Sequence, residues 1–348
     1  MVLKIAISEA HNEILNSSNS LKLQDIIKEH NFEVNFIKEY LTSNLLSSYH
    51  VLIIGGPTEP LEYSEIVAIE KFVKQEGFLI LMSVAGGELS GNNLSELSRR
   101  FEFEFNPDFV EDYKHNLNNN PRLPIIHHIK KSFPFTKSIN KIIFTGCSIS
   151  ILDESVKGFI YTDRDSIPSM TALGVISTES NVIGFSSSSI FNDTLLEKYN
   201  NKKLIDNILR YISTIFKKRE KEIKDKYKKI SPSKAVRLLE HLISLNTKKL
   251  KEIDGIIDNM YNRILGQISK VPIIKVKENL NKNYKLILQK IDSIAAEINN
   301  QHAEFSFLGN EYQTEAVDVL NRWYASEAEI REKLDMIRNN LLSRINTE

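Results

Sequence analysis

Residues 51–82, with the sequence VLIIGGPTEPLEYSEIVAIEKFVKQEGFLILM, decide the fold class of this 348-residue chain. The apolar runs 51–54 and 78–82 show no polar alternation, which is typical of strands that are covered on both faces. Between them, helical spacing places four apolar residues on one face: Ile66, Ile69, Phe72 and Val73. Ser64 is the expected N-cap and Gly77 lies just past the end of the helix. The stretch therefore predicts a strand, helix, strand unit of a parallel sheet.

The same alternation extends over residues 1–216. Further strands are predicted at residues 3–7, 32–37, 141–151 and 182–185. Residues 101–136 break the pattern with several prolines and are expected to leave the sheet, with short strands of their own. A closing amphipathic helix is predicted at the end of this domain, with five apolar residues inward: Ile205, Ile208, Leu209, Ile212 and Ile215. We expect a flavodoxin-like, three-layer α/β domain with a mostly parallel sheet.

Strand signals vanish in the C-terminal third of the chain. Residues 217–229 hold eight basic and three acidic residues, so residues 217–232 are predicted to be a basic linker or an extension of the helix. Apolar residues then recur every three or four positions in three segments, split near Pro272 and Gly309. Residues 233–348 are therefore predicted to form an α-helical arm, either a bundle or an antiparallel coiled coil.

Composition excludes several classes of function. Lys plus Arg and Asp plus Glu both number 45, so the chain has no net positive charge that would attract nucleic acid or an anionic membrane. One cysteine, Cys147, excludes an internal disulfide and a multi-cysteine metal cluster, and it fits a reducing compartment. No stretch approaches the roughly 20 apolar residues of a membrane span, and the N-terminal apolar run is too short for a signal peptide. We expect a cytoplasmic protein without a metal or a cofactor.

Two glycine-rich turns follow buried strands, at the edge where open α/β sheets place their ligands. The first holds Gly55, Gly56 and Pro57. The second holds Ser83, Ala85, Gly86, Gly87 and Glu88. Tight turns are the commoner reason for such glycines, and the second turn does not have the spacing of a dinucleotide-binding or phosphate-binding loop. These eight residues form the candidate ligand pocket.

The order of these segments resembles the GIFT domain, the glutamine-amidotransferase-like module at the N-terminus of a component of intraflagellar-transport complex B and of prokaryotic relatives. The resemblance lies in the strand that ends in Gly55, Gly56 and Pro57, the following helix, and the strand that leads into residues 85–88. It continues through residues 187–193, SSSIFND, and ends near Phe216. The resemblance implies a class I glutamine-amidotransferase-like fold and a role in assembling a larger complex.

Enzymes of the wider amidotransferase-like superfamily use a cysteine nucleophile on a sharp turn after a strand, activated by a histidine. Ala85 stands at that position here, and no histidine occurs from residue 129 to residue 240. Cys147 lies within a later strand signal, as a core residue would. Adjacent His127 and His128 face opposite sides of a strand, so they are poorly placed to bind one metal ion.

We therefore expect a non-catalytic scaffold that binds a protein partner or a second copy through its helical arm. The candidate partner-binding residues share one helical stripe: Trp323, Ile330, Leu334, Ile337 and Leu341. Two alternatives stay open. One is a regulatory domain that binds a sugar or a nucleotide in the candidate pocket. The other is a hydrolase or amidotransferase with displaced catalytic residues, drawn from Ser83, Cys147 or the histidine pair.

Overall fold

A computed structural model describes residues 2–177 and 179–227, together with isolated helical positions between 237 and 328. The chain divides into two compact units, residues 1–217 and 218–348. The first unit holds all the strands of the described residues. Apart from those isolated positions, the predicted helical arm lies outside the described residues, and so do its candidate partner-binding residues Trp323, Ile330, Leu334, Ile337 and Leu341.

Five α-helices are described: α1 (Leu21–Glu29), α2 (Ser43–Leu46), α3 (Tyr63–Lys74), α4 (Leu94–Ser98) and α5 (Asn201–Tyr227). The strands in the first half of the domain are β1 (Leu3–Ser8), β2 (Phe32–Ile37), β3 (Val51–Gly55), β4 (Phe78–Met82), β5 (Phe103–Phe105), β6 (Glu111–Asp112), β7 (Asn116–Leu117) and β8 (Asn120–Ile126). The later strands are β9 (Ile142–Ile143), β10 (Ile149–Ile151), β11 (Val156–Tyr161), β12 (Ser166–Ile167), β13 (Ala172–Ser177) and β14 (Val182–Phe185).

The central sheet has nine strands, in the order β2-β1-β3-β4-β14-β13-β10-β5, with β11 paired to β13. The five strands from β2 to β14 are parallel, and the others are antiparallel. Taken in chain order, the parallel strands follow the 2-1-3-4-5 arrangement of flavodoxin-like sheets. The predicted α/β class and mostly parallel sheet are therefore confirmed, and an antiparallel extension is added to them.

The sheet is covered on both faces, which explains its unbroken apolar strands. Alternate residues of β3 belong to two separate cores: Val51 and Ile53 to one, Leu52 and Ile54 to the other. The first core is completed by α1 and α5, and the second by α2, α3 and α4. Because strand side chains alternate between faces, each strand in the middle layer must be apolar throughout.

Three local predictions are wrong. Residues 101–136 do not leave the central sheet entirely, because β5 pairs with β10 at its edge. Helix α3 is capped by Glu62 and not by Ser64, because Glu65 in its first turn accepts the Glu62 N–H at 2.9 Å. The single strand predicted over residues 141–151 is two strands, β9 and β10. Between them the chain passes so close to the end of β14 that a Cβ at Gly146 would lie 2.2 Å from the Ser186 carbonyl oxygen.

Candidate functional site

The first glycine turn, at the end of β3, packs against the protein's own chain. A Cβ at Gly55 would lie 2.5 Å from the Leu15 Cβ atom. Gly56 has a φ of 72°, and a Cβ there would lie 2.6 Å from Ser188 Oγ and 2.7 Å from a Val84 methyl carbon. Gly55, Gly56 and Pro57 are all buried. The contacts of the two glycines are those of a tight turn that neighbouring loops approach closely.

The second turn, at the end of β4, has the same character. Gly86 and Gly87 have φ angles of 85° and 53°. A Cβ at Gly87 would lie 2.3 Å from the Asn106 carbonyl oxygen. Ser83 is buried, Glu88 is half-buried, and Ala85 is exposed. Ala85 stands where the resemblance implied a nucleophile, and it presents only a methyl group there. Its φ angle is not positive.

Cys147 lies next to this turn, which its position in the sequence did not indicate. Its side chain is fully buried, and its Sγ lies 3.7 Å from the Ser186 carbonyl oxygen. Burial raises the pKa of the thiol to about 12, although the facing Ser83 hydroxyl favours the thiolate slightly. A thiol with that pKa stays protonated at neutral pH and is a poor nucleophile. Within the described residues, no histidine is hydrogen-bonded to Ser83 or to Cys147.

Two buried hydroxyls at this edge of the sheet are unsatisfied. The Oγ atoms of Ser83 and Ser188 are inaccessible to solvent and have no hydrogen-bond partner among the described residues, apart from the Cys147 thiol that faces Ser83. Their main chains are joined, because the Ser188 N–H donates to the Ser83 carbonyl at 2.9 Å. A buried polar atom without a partner costs about 1–3 kcal/mol, so a group that satisfied these hydroxyls would be stabilising.

A buried polar cluster at the end of β1 was missed in the sequence. Its members are Ser8, His11, Glu13 and Glu65, and all four are at most 3% exposed. His11 Nε2 lies 3.0 Å from Glu65 Oε1, which also accepts the Leu41 N–H at 2.8 Å. Glu13 accepts the Ser8 hydroxyl and the His11 N–H. The cluster ties three loops together at the carboxyl edge of the sheet.

The electrostatics of this cluster favour a charged imidazole. Burial opposes protonation of His11, but the hydrogen bond with Glu65 and the charges of Glu65, Glu13 and Glu59 outweigh it and raise the pKa of His11. A sequence signal was present, because polar residues with hydrogen-bonding side chains crowd the end of β1 in the run SEAHNE at residues 8–13. Glu65, the fourth member, carries no such signal since it lies 54 residues beyond His11, inside a helix.

The histidine pair lies in a different environment from the glycine turns. Asp163 accepts the backbone N–H groups of both His127 and His128, and it lies 3.0 Å from His127 Nδ1. The His128 ring stacks on Tyr161. The charged turn around Asp163 thus anchors the chain at residues 127 and 128. In the described part of the chain, no group of three or more His, Cys, Asp or Glu side chains is arranged to hold a metal ion.

No helix among the described residues is long and apolar enough to cross a membrane.

The strand order and the two covered faces define the class: an α/β domain with a flavodoxin-like sheet, whose turn after β4 carries Ala85. Residues 4–116 match the family model of the IFT52 GIFT domain. The resemblance to the GIFT family is thereby confirmed over this segment of the chain.

A solved structure, the "mmIFT52 N-terminal domain", is similar in fold, with a TM-score of 0.56 and 18% sequence identity. The match covers 60% of this chain and 96% of that chain. A putative GMP synthase protein from Thermoplasma acidophilum is a weaker match, with a TM-score of 0.41 and 9% identity over 63% of this chain and 98% of that chain. No curated protein matches the sequence.

Proposed function

We propose that the protein is a non-catalytic scaffold that assembles a larger complex. The observation that carries this proposal is the chemistry of the turn after β4. Ala85 supplies no nucleophile, and the neighbouring Cys147 is a buried thiol whose pKa is raised to about 12. The match of residues 4–116 to the IFT52 GIFT domain supports the same conclusion, because the resemblance implies a role in a multi-protein complex. The buried single cysteine fits a cytoplasmic protein.

The test of catalytic silence is an assay of the full chain for glutaminase and esterase activity. We expect no turnover above background, because neither Ser83 nor Cys147 has a histidine base among the described residues. Turnover that is abolished by Ser83→Ala or Cys147→Ala would contradict the proposal. Equal residual turnover in the wild type and in both variants is the signature of a contaminant.

The partner contact is assigned to the helical arm, residues 233–348. Its repeated large aliphatic residues would each gain roughly 1.5–3 kcal/mol on burial, either on a partner or on one another. Trp323 separates the two cases, since tryptophan is enriched at interface hot spots. In a partner contact, Trp323→Ala weakens association in light scattering or a pull-down while the circular dichroism spectrum and melting temperature hold. A strict monomer that finds no partner, and whose arm unfolds on the same substitution, would contradict this role.

The second candidate is binding of a small polar ligand such as a sugar or a nucleotide. It is favoured by the unsatisfied Ser188 hydroxyl, which lies beside the candidate pocket residue Gly56. A thermal-shift screen of sugars and nucleotides tests it, because a ligand that binds the native state raises the melting temperature. Ser188→Ala should remove such a shift, whereas Ser180→Ala, in the turn between β13 and β14, should leave it intact. Without any shift, this candidate fails and the scaffold remains.

A further inference from the structure

Strand β2 forms one edge of the central sheet, and half of its main-chain groups face outward. It pairs in parallel with β1 over all six residues without a register shift, and it has no partner on its other side among the described strands. The Glu9 N–H donates to the Ile37 carbonyl, so Ile37 faces β1. Because main-chain direction alternates along a strand, residues 33 and 35 face β1 as well. The N–H and C=O groups of Phe32, Val34 and Phe36 therefore face away from the sheet.

This edge lacks the features that normally prevent pairing with another chain. Natural edge strands are kept short, carry a lysine or a proline, or are bent by a bulge. Strand β2, with the sequence FEVNFI, has none of these. Its one charge, Glu33, is partly neutralised by Lys4 at 3.9 Å. The opposite edge of the sheet ends in β5, which has three residues. No hydrogen bond from the described residues reaches the outward groups of β2.

We propose that β2 is a self-association surface, on which β2 of a second copy of this chain pairs in antiparallel orientation about a two-fold axis at Val34. In that register Val34 lies opposite the partner's Val34, and Phe32 lies opposite the partner's Phe36. These are the outward-facing residues, so all three pairs are hydrogen-bonded pairs, which together make about six main-chain hydrogen bonds. The two sheets become one continuous sheet.

The side chains are self-complementary in the same register. On one face, the half-buried Val34 and Phe36 pack against the core under β2 and pair with apolar residues of the second copy. On the other face, Glu33 lies opposite the partner's Asn35, so a carboxylate meets an amide donor. Asn35 already donates to Glu33 of its own strand at 3.3 Å. No like charges oppose each other, which favours a second copy of the chain as the occupant. This surface lies on the sheet and is distinct from the helical arm.

Charge substitution at the symmetry axis tests the register. Val34→Lys places two lysines directly opposite each other, and Val34→Glu places two glutamates there. We expect each variant alone to weaken dimerisation of the full chain roughly tenfold in sedimentation equilibrium. An equimolar mixture should recover the wild-type association, because it pairs lysine with glutamate. Circular dichroism and melting temperature establish that the variants are folded. A wild-type chain that stays monomeric, or variants whose mixture associates no better than either alone, would overturn the proposal.

Cross-linking tests the β2 contact separately, because it reports on β2 even if the helical arm also self-associates. Val34→Cys brings two thiols to facing positions whose Cα atoms are about 5.5 Å apart, within reach of a disulfide. Glu33→Cys is the matched control, because residue 33 faces residue 35 of the second copy and its own equivalent lies roughly 7–8 Å away diagonally. The native Cys147 is buried and does not compete. We expect mild oxidation to cross-link the full-length Val34→Cys protein only. No cross-link, or equal cross-linking of both variants, would contradict the two-fold register.

Discussion

Removing the Glu65 carboxylate should destabilise the domain strongly. Glu65 is 1% exposed and serves three donors: His11 Nε2 at 3.0 Å, the Leu41 N–H at 2.8 Å and the Glu62 N–H at 2.9 Å. Glu65→Ala leaves the first two donors buried without a partner. It also uncaps α3, because Glu62 loses the acceptor in the first turn of the helix.

The expected loss follows from these contacts. Breaking a buried charge pair by removing one partner costs about 3–5 kcal/mol, and the two buried orphaned donors account for most of that. For a domain of this size, 1 kcal/mol lowers the melting temperature by about 2–4 °C. A decrease of roughly 10 °C is therefore expected. The matched control is Glu70→Ala in the same helix, where the side chain is 21% exposed and pairs with Lys74 and Arg100. Surface pairs of that kind are worth about 0–1 kcal/mol.

The assay is thermal and urea unfolding of the full chain, followed by far-UV circular dichroism and calorimetry. The single tryptophan, Trp323, lies outside residues 1–217, so its fluorescence follows the C-terminal unit separately. We expect Glu65→Ala to shift the calorimetric transition of the first unit and to leave the tryptophan signal unchanged. If Glu65→Ala costs no more than Glu70→Ala, the cluster contributes nothing to stability and the argument from its hydrogen bonds is wrong.

Three other predictions can be checked by the same measurements. Burial, followed by nearby positive charges, lowers the pKa of His50. The contribution of neutral His50 to stability is therefore present above pH 6.5 and is lost as the pH falls through the folded-state pKa. His50→Gln should flatten the pH dependence of the urea midpoint between pH 7.5 and 5.5, and an unchanged slope would refute this. Gly87→Ala should cost more than about 2 kcal/mol, because its Cβ would lie 2.3 Å from the Asn106 carbonyl oxygen. Gly91 also has a positive φ but no atom closer than 4.0 Å to its added Cβ, so an equal loss in Gly91→Ala would show that backbone strain alone is responsible. Residues 1–216 alone should melt cooperatively, and an insoluble or molten fragment would move the predicted domain boundary.

The strands of the parallel sheet were predictable because each is buried on both faces. Strands β2 and β4 begin and end at the predicted residues, and β1 and β3 extend one residue further. A run such as FLILM at residues 78–82 cannot be solvated on either side, so its place in the middle layer follows from composition alone. The antiparallel strands β11 and β13 were not predicted, and their pairing shifts register between Gly158 and Tyr161.

The polar cluster illustrates what a sequence pattern cannot supply. His11 and Glu65 meet because β1 and α3 end and begin at the same edge of the sheet, and that juxtaposition depends on topology rather than on spacing. The N-cap of α3 was missed for a related reason. Ser64 has the preferred side chain, but Glu65 reaches back to the Glu62 N–H and fixes the start of the helix earlier. Local propensity indicates which residue types can cap a helix, but tertiary contacts decide which of several neighbouring residues does so.

The space beside the glycines at the carboxyl edge of the sheet is filled by the protein's own chain. In open α/β folds this edge is where ligands bind, and glycines there admit a ligand close to the backbone. Here the space beside Gly56 is taken by Ser188 and Val84, and the space beside Gly87 by the main chain at Asn106. The region from residue 101 to residue 136, absent from the predicted sheet, supplies that last contact. Ala85 is exposed, so a reactive side chain at this position would face outward over an edge that the chain itself fills.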